Sequence, residues 1–161
     1  MTVNLFAPAR APVDGRQSET ALAVARGTTR LLHALGFSVV SELPLPSGRR
    51  ADLAGIDRKG DVWIVEIKSS IADFRADQKW TDYRLHCDRL FFATTLAVPA
   101  DIFPKDAGLI VADAFGAAIT CEAPEHRLHA ASRKCLLLAF ARTAALRLAA
   151  LGDPEGAFGS E

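Results

Sequence analysis

The chain has 161 residues, of which half are apolar and about a quarter are charged. That length favours one domain with a substantial hydrophobic core and leaves little room for a second domain. The composition excludes a wholly disordered protein. Nineteen basic residues balance nineteen acidic ones, so the net charge gives no evidence for a polyanionic partner.

Cysteine usage and hydropathy indicate a cellular compartment. The three cysteines, Cys87, Cys121 and Cys135, are odd in number and widely spaced, which favours a reducing compartment, with the cytoplasm as the default. The first residues contain no apolar run of signal-peptide length. The most apolar segment, 135–151, is interrupted by two arginines and falls short of the roughly 20 residues that span a bilayer. We therefore expect no association with a membrane.

The ends of the chain differ from its middle. Residues 1–14 contain two prolines and are interpreted as a flexible N-terminal arm, and residues 152–161 as a flexible tail. Between them, residues 15–151 are expected to form a single domain. Its first predicted element is a helix over 16–35, because apolar residues recur there at helical spacing and Gly36 follows as a usual terminator.

Strand patterns follow this helix. Residues 37–43, 50–56 and 62–68 are predicted strands, and the short glycine-containing loop between the last two favours a hairpin. A helix is predicted near 76–86, with Trp80 and Tyr83 on the apolar side that faces the sheet.

The remaining elements complete an α/β domain. Residues 88–94 are a predicted strand, expected to run parallel to its neighbour because a helix precedes it. Segments 108–114 and 117–123 suggest a further hairpin. The final helix, 132–151, is apolar on most of its circumference and is therefore predicted to be largely buried. The predicted order is αβββαβ followed by ββα.

Charged residues stand out on the two strands of the first predicted hairpin. Side chains alternate between the faces of a strand, so Glu66 and Lys68 share one face. If the two aspartates that flank the connecting loop pair with each other, Asp52 lies opposite Glu66 and Arg50 lies opposite Lys68. A shift of one residue would move Asp52 to the other face.

This placement sets like charges opposite each other, which costs stability. A divalent cation held by Asp52 and Glu66 would relieve the repulsion, since Mg²⁺ prefers carboxylate oxygens and water. Lys68 would then lie where it could hold a water or a phosphate oxygen, an arrangement typical of phosphodiester hydrolysis. The alternative is an ordinary solvated strand end, with Asp52 as a turn residue.

In this order of elements, Asp52 and the triplet Glu66-Ile67-Lys68 resemble the motif of the PD-(D/E)XK nuclease superfamily. Ala51 stands where the name of the motif has proline. The longer string from "RRADLAGID" through "WIVEIKSS" to "CDRLFFA" is similar to MmcB-type DNA repair proteins. The resemblance implies a restriction-endonuclease-like α/β fold and a DNA-directed role in repair.

The resemblance also implies roles for individual residues. Asp52 and Glu66 would bind Mg²⁺ or Mn²⁺, and the backbone carbonyl of Ile67 would complete the protein's share of the ligands. Lys68 would orient the attacking water or stabilise the charged transition state. The superfamily often adds a glutamate on the first helix, for which Glu19 is the candidate. A glutamate in a first turn is equally favoured by the helix dipole.

Polar residues around the same site are candidate contacts to DNA phosphates. They are Arg50, Ser69, Ser70, Gln78 and Lys79. Ser70 and Asp73 also suit the start of a helix, and we prefer that interpretation for Asp73.

The expected partner is DNA. A homodimer would bring two sites together if both strands are cut, and other repair proteins are further expected partners. Two alternatives stay open at this stage: a non-catalytic DNA-binding or scaffold module that retains the nuclease fold, and a nuclease that acts on RNA.

Overall fold

The computed structural model describes residues 18–156. The predicted arm, 1–14, lies outside the described residues, and the predicted tail is described only as far as Gly156. The division into arm, domain and tail therefore stays a prediction.

The described residues form a six-stranded sheet with helices on both faces. The α-helices are α1 (Glu19–Ala34), α2 (Ile71–Ala76) and α3 (Ala130–Gly152). The strands are β1 (Ser38–Pro44), β2 (Arg50–Ile56), β3 (Val62–Ile67), β4 (Arg89–Thr94), β5 (Gly108–Ala112) and β6 (Ala117–Cys121). Trp80–His86 and Ala100–Ile102 are 3₁₀ helices. This order confirms the predicted restriction-endonuclease-like αβββαβ core and its ββα extension.

Neighbours in the sheet follow the order of the chain, from β1 to β6. The pairs β1–β2, β2–β3 and β5–β6 are antiparallel, whereas β3–β4 and β4–β5 are parallel. The parallel placement of β4 and both predicted hairpins are confirmed. Because β3, β4 and β5 run in one direction, their carboxyl ends meet at one edge of the sheet, here called the carboxyl edge.

The register of the β2–β3 hairpin is the predicted one. Leu53 pairs with Val65 and Ile56 pairs with Val62. The loop closes with the N–H of Asp57 donating to the carbonyl of Asp61 at 3.1 Å. The side chains that share a face are therefore those that the alternation predicts.

Each face of the sheet is covered by a different helix. On one face, Val24 and Leu32 of α1 pack in a cluster that includes Phe91 of β4. On the other face, Leu136 of α3 and Tyr83 of the 3₁₀ helix pack in a second cluster. The expectation that Trp80 and Tyr83 face the sheet is confirmed, because Tyr83 is buried and Trp80 packs against the same cluster.

The helix predicted near 76–86 is wrong in position and type. The α-helix lies earlier, at Ile71–Ala76, because Ser70 accepts the N–H of Asp73 at 3.0 Å and caps a helix there. Asp77 is extended and ends it, and a 3₁₀ helix follows from Trp80. The interpretation of Asp73 as a helix-start residue agrees with this cap.

The prediction that the last helix is largely buried is also wrong. Leu136 is the buried residue of α3, whereas Leu138 and Leu148 are more than half exposed. The helix contacts β1 and the 3₁₀ helix Trp80–His86. By length and composition alone α3 could cross a membrane. The sheet and helices that it packs against nevertheless form a soluble α/β domain.

A buried carboxylate fixes α3 to the sheet. Asp88 is 1% exposed and pairs with both terminal nitrogens of Arg133 at 2.7 Å. The same carboxylate accepts the N–H of Val62 at 2.8 Å and of Leu128 at 2.9 Å. Arg133 also donates to the carbonyl of Gly60 at 2.7 Å. Asp88 therefore connects the start of β3, the loop before α3 and α3 itself.

Asp88→Asn should destabilise the fold by about 3 to 5 kcal/mol, because it leaves Arg133 without its buried partner. Burial alone would raise the pKa of Asp88, but the hydrogen bonds from Arg133, Leu128 and Val62 hold it below the ordinary 3.8. Its stabilising effect is therefore present above that value and is lost as the pH falls through the lower folded pKa. Urea denaturation at pH 7 and at about pH 3 measures both effects.

Asp106→Asn is the matched control, because Asp106 pairs with Arg84 but its side chain is 66% exposed. An exposed pair of this kind contributes up to about 1 kcal/mol. Equal losses for the two variants would contradict the role given to Asp88.

Candidate active site

The two predicted carboxylates meet where the β2–β3 ladder ends. Regular pairing stops at Leu53 and Val65. One residue further along, the N–H of Asp52 donates to Oε1 of Glu66 at 3.2 Å, and the N–H of Ile67 donates to Oδ2 of Asp52 at 2.7 Å. Side-chain oxygens therefore take backbone donors that a continued ladder would have paired with carbonyls. These two hydrogen bonds hold both carboxylates between the strands.

Burial makes this pair electrostatically costly. Glu66 is 3% exposed. Burial raises the pKa of Asp52 to about 6, although the hydrogen bond from Ile67 opposes the shift. Burial, followed by repulsion from Asp52, raises the pKa of Glu66 well above its ordinary value. Both shifts indicate a site where a positive charge would be favourable.

Lys68 has a partner that the sequence did not reveal. Its side chain is buried, and Nζ donates to Oδ2 of Asp77 at 2.8 Å. Burial lowers the pKa of Lys68, but the hydrogen bond and charge of Asp77 outweigh it, so the net pKa is raised. The ammonium is thus held charged beside Glu66. Asp77 falls within the segment that resembles the MmcB-type proteins, but its position after a helix carries no local signal for this pairing.

The prediction that Arg50 lies opposite Lys68 is wrong, because the two residues do not pair. The ladder does not extend to this pair. Arg50 is 64% exposed at its side chain and instead forms an ion pair with Glu42 at 2.9 Å. The two cations are therefore kept apart by separate carboxylate partners, Glu42 and Asp77.

β4 fixes the backbone around Lys68. The N–H of Lys68 donates to the carbonyl of Ala93 at 2.9 Å. The buried hydroxyl of Thr94 donates to the carbonyl of Lys68 at 2.7 Å. These two bonds hold the end of the Glu66-Ile67-Lys68 triplet at the carboxyl edge.

Tyr83 lies beside the two carboxylates, and Arg49 packs on its ring. The sequence did not assign either residue to the site. The Tyr83 hydroxyl donates to the carbonyl of Arg50 at 3.2 Å. Burial and then the nearby charges of Glu66 and Asp52 raise the pKa of Tyr83. Arg49 lies with its guanidinium carbon 5.8 Å from the Tyr83 ring centroid and donates to Asp82 at 2.9 Å. Arg49 thus brings a further cation to the neighbourhood of the site.

The two serines predicted to contact DNA have partners within the protein. Ser70 caps α2. The N–H of Ser69 donates to Oδ2 of Asp73 at 3.0 Å. The hydroxyl of Ser18 lies 3.5 Å from that of Ser69. This contact brings the start of α1, where Glu19 is exposed, to the end of β3.

The other predicted DNA contacts lie in and after the segment that follows α2. Gln78 donates through Nε2 to the carbonyl of Arg75 at 2.8 Å. Lys79 is exposed at the start of the 3₁₀ helix, and its N–H donates to Oδ1 of Asp77 at 3.1 Å. Through this bond the backbone of Lys79 contacts Asp77, the aspartate that pairs with Lys68.

The carboxylate pair fits a divalent cation in charge and donor type. Hydrogen bonds among the described residues engage Oδ2 of Asp52 and Oε1 of Glu66, which leaves the second oxygen of each for another ligand. In residues 18–156 no group of three or more His, Cys, Asp or Glu side chains is placed to hold a metal. A cation here would have two carboxylate ligands and keep several waters, as Mg²⁺ commonly does.

A family model described as DNA repair protein MmcB-like matches residues 9–155. The chain belongs to the MmcB-like DNA repair protein family. Membership in the MmcB-like family supports a role in DNA repair, and it confirms the resemblance to MmcB-type proteins that the longer string indicates. Among curated proteins, none matches the chain.

Solved structures similar to this MmcB-like chain include a protein of unknown function from Silicibacter pomeroyi. It is 46% identical, with a TM-score of 0.83, and the match covers 87% of this chain and 96% of that one. A repair endonuclease from Pyrococcus abyssi matches 52% of this chain and 40% of its own, with 17% identity and a TM-score of 0.35. That second likeness is too remote to inform function.

Glu66→Gln should stabilise the protein in EDTA at neutral pH by about 1 to 2 kcal/mol. The amide oxygen can still accept the N–H of Asp52, while the buried charge is removed. Urea denaturation compares this variant with Glu66→Ala, which leaves that N–H without an acceptor and should destabilise the protein. Mg²⁺ should raise the stability of the wild type and not that of Glu66→Gln. A loss of stability in Glu66→Gln would contradict the electrostatic account of the site.

Proposed function

We propose that the protein is a Mg²⁺- or Mn²⁺-dependent deoxyribonuclease that acts in DNA repair. The observation that carries the proposal is the carboxylate pair of half-buried Asp52 and buried Glu66, each of which accepts a backbone N–H from the opposite strand beside the charged Lys68. Membership in a DNA repair family supports DNA as the substrate. The reaction class is metal-assisted hydrolysis of a phosphodiester.

The roles of the residues follow from their positions. Asp52, Glu66 and the carbonyl of Ile67 would hold the cation. A bound cation would supply Lewis-acid polarisation of the phosphate and a more acidic water. Lys68 would stabilise the negative charge that develops on the phosphate, because its ammonium is already fixed in a buried position. Asp77 orients that ammonium through its 2.8 Å hydrogen bond and is a positioning residue.

Residues at the rim would bind the DNA backbone. We include the predicted contacts Arg50, Ser69, Ser70, Gln78 and Lys79 in this proposal. Arg50 and Lys79 are exposed cations, whereas the serines and Gln78 would act through polar groups that already have partners in the protein. Glu19, exposed in the first turn of α1, is proposed as an additional acidic residue of the site.

We also propose the reducing cytoplasm as the place of action, since all three cysteines are free. A homodimer and association with other repair proteins belong to the same proposal.

Wild-type protein with Mg²⁺ or Mn²⁺ should cleave at least one DNA in a panel of duplex, single-stranded, branched and damaged substrates. Asp52→Asn, Glu66→Gln and Lys68→Ala should each lower the rate by about 100-fold or more, because each removes charge at the reacting centre. Gel analysis of labelled DNA, with EDTA as the metal-free reference, measures the effect.

The control is Asp106→Asn, which should cleave at the wild-type rate. Asp106 is exposed, pairs with Arg84 and lies far in sequence from the motif. The nuclease proposal fails if the wild type cuts none of these DNAs with either metal. DNA binding without cleavage, equal with and without metal and insensitive to Lys68→Ala, would identify a non-catalytic DNA-binding module. Cleavage of RNA alone would identify an RNA nuclease.

Asp77→Asn should reduce cleavage by roughly tenfold while leaving Mg²⁺ affinity unchanged, because it loosens Lys68 without removing a proposed metal ligand. Asp77→Glu keeps the charge and should restore part of the rate. Calorimetric titration with Mg²⁺ and single-turnover cleavage separate the two effects. If Asp77→Asn weakens metal binding as much as cleavage, its role as a positioning residue is excluded.

A further inference from the structure

Two large apolar side chains stand in solvent on loops at the carboxyl edge. Leu96, after β4, is 90% exposed, and Phe115, at the tip of the β5–β6 hairpin, is 80% exposed. Both line a groove of about 760 Å³ that also includes Thr20 and Val24 of α1. Exposed apolar side chains that line one groove mark a candidate binding surface.

The hairpin tip that carries Phe115 is held rigidly. Oδ1 of Asp113 accepts the N–H of Phe115 at 2.8 Å and that of Gly116 at 3.0 Å. Arg30 of α1 donates to the carbonyl of Phe115 at 3.0 Å. The phenyl ring is therefore presented to solvent on a backbone that is fixed at three atoms.

α1 also packs directly against the backbone of this tip. A Cβ at Gly27 would lie 2.1 Å from the carbonyl oxygen of Asp113 and 2.4 Å from that of Gly116. Only glycine allows so close an approach. The tip and α1 thus form one rigid support, which limits the conformational entropy that Phe115 would lose on binding a ligand.

The groove and the candidate active site both reach the carboxyl edge, from opposite faces of the sheet. α1 covers the face that carries Val65, and Glu66 alternates onto the face covered by Tyr83. β3 and β5 are separated by β4, so their carboxyl ends lie about 10 Å apart. The first turn of α1 borders both regions, because Ser18 contacts Ser69 after β3 and Thr20 lines the groove. A strand of nucleic acid bound at the carboxylates could therefore pass over the carboxyl edge and reach Phe115 within a few nucleotides.

The distribution of charge fits bases in the groove and phosphates beside it. The groove lining contains no lysine or arginine, and its acidic residue, Asp113, is occupied by the turn. After Glu19, α1 carries Arg26 and Arg30 and no acidic residue. Both arginines are exposed, and Arg30 adjoins Phe115. Apolar side chains flanked by cations are typical of surfaces that stack unpaired bases.

We propose that Phe115 and Leu96 form a stacking surface for unpaired bases of the DNA strand bound at Asp52 and Glu66. This inference rests on the proposed function and narrows its substrate to DNA with a single-stranded region next to a duplex. Fully paired DNA keeps its bases stacked inside the helix and cannot occupy the groove in this way.

The test is binding by the full-length chain carrying Glu66→Gln, with Mg²⁺ present, so that the DNA stays intact. The probes are a continuous duplex and the same duplex with a gap of about five nucleotides. Phe115→Ala should weaken binding to gapped DNA by about tenfold and binding to the duplex by less than about twofold. Phe115→Trp should retain the preference for the gap, because it keeps an aromatic face.

A fluorescent 2-aminopurine in the gap reports the stacking itself. Its emission should be quenched on binding the Glu66→Gln parent and should recover in Phe115→Ala. Leu148→Ala is the matched control, since Leu148 is 59% exposed on α3 rather than at the carboxyl edge. It should behave as the parent in both measurements.

The proposal is overturned if Phe115→Ala binds gapped DNA as the parent does, or if it weakens gapped and duplex DNA equally. It is also overturned if the substitution changes self-association and not DNA binding, which would identify a second copy as the occupant. Cleavage by the wild type with Mn²⁺ tests the proposed function separately. A wild type that cuts DNA while Phe115→Ala keeps full affinity for the gap overturns the stacking surface alone.

Discussion

The backbone hydrogen bonds that hold the carboxylates of Asp52 and Glu66 between β2 and β3 determine the chemistry available to this fold. Each carboxylate lies at the end of the β2–β3 ladder and takes a backbone N–H from the opposite strand. The bonds hold half-buried Asp52 and buried Glu66 close together, and desolvation raises the pKa of both groups. Such a pair lowers stability unless something positive binds. Backbone hydrogen bonds therefore create a site whose electrostatics favour a cation.

The surrounding elements keep the charges in order. Lys68 is held by Asp77, and Arg50 is drawn away by Glu42. β4 fixes the backbone of Lys68 through Ala93 and Thr94. At the opposite end of the same strands, the network around Asp88 fixes α3. At the amino ends of the parallel strands, the carboxylate of Asp88 therefore stabilises the fold. At their carboxyl edge, the carboxylates of Asp52 and Glu66 suit catalysis.

The carboxyl edge also explains why the proposed stacking surface and the proposed active site are neighbours. Parallel strands place the loops after β3, β4 and β5 side by side. The first loop follows the charged triplet, the second carries Leu96 and the third carries Phe115. One edge therefore combines polar groups suited to phosphates with apolar groups suited to bases.

The sequence by itself determined the order of elements, the hairpin register and the shared face of Asp52, Glu66 and Lys68. Those features depend on alternation along a strand and on short turns, which are local. The tertiary structure alone decided that Asp77 pairs with Lys68, that Arg50 pairs with Glu42, and that α3 is exposed along most of its length. These outcomes depend on which distant segments of the chain meet in the folded protein. The residue pattern within one segment carries no information about those contacts.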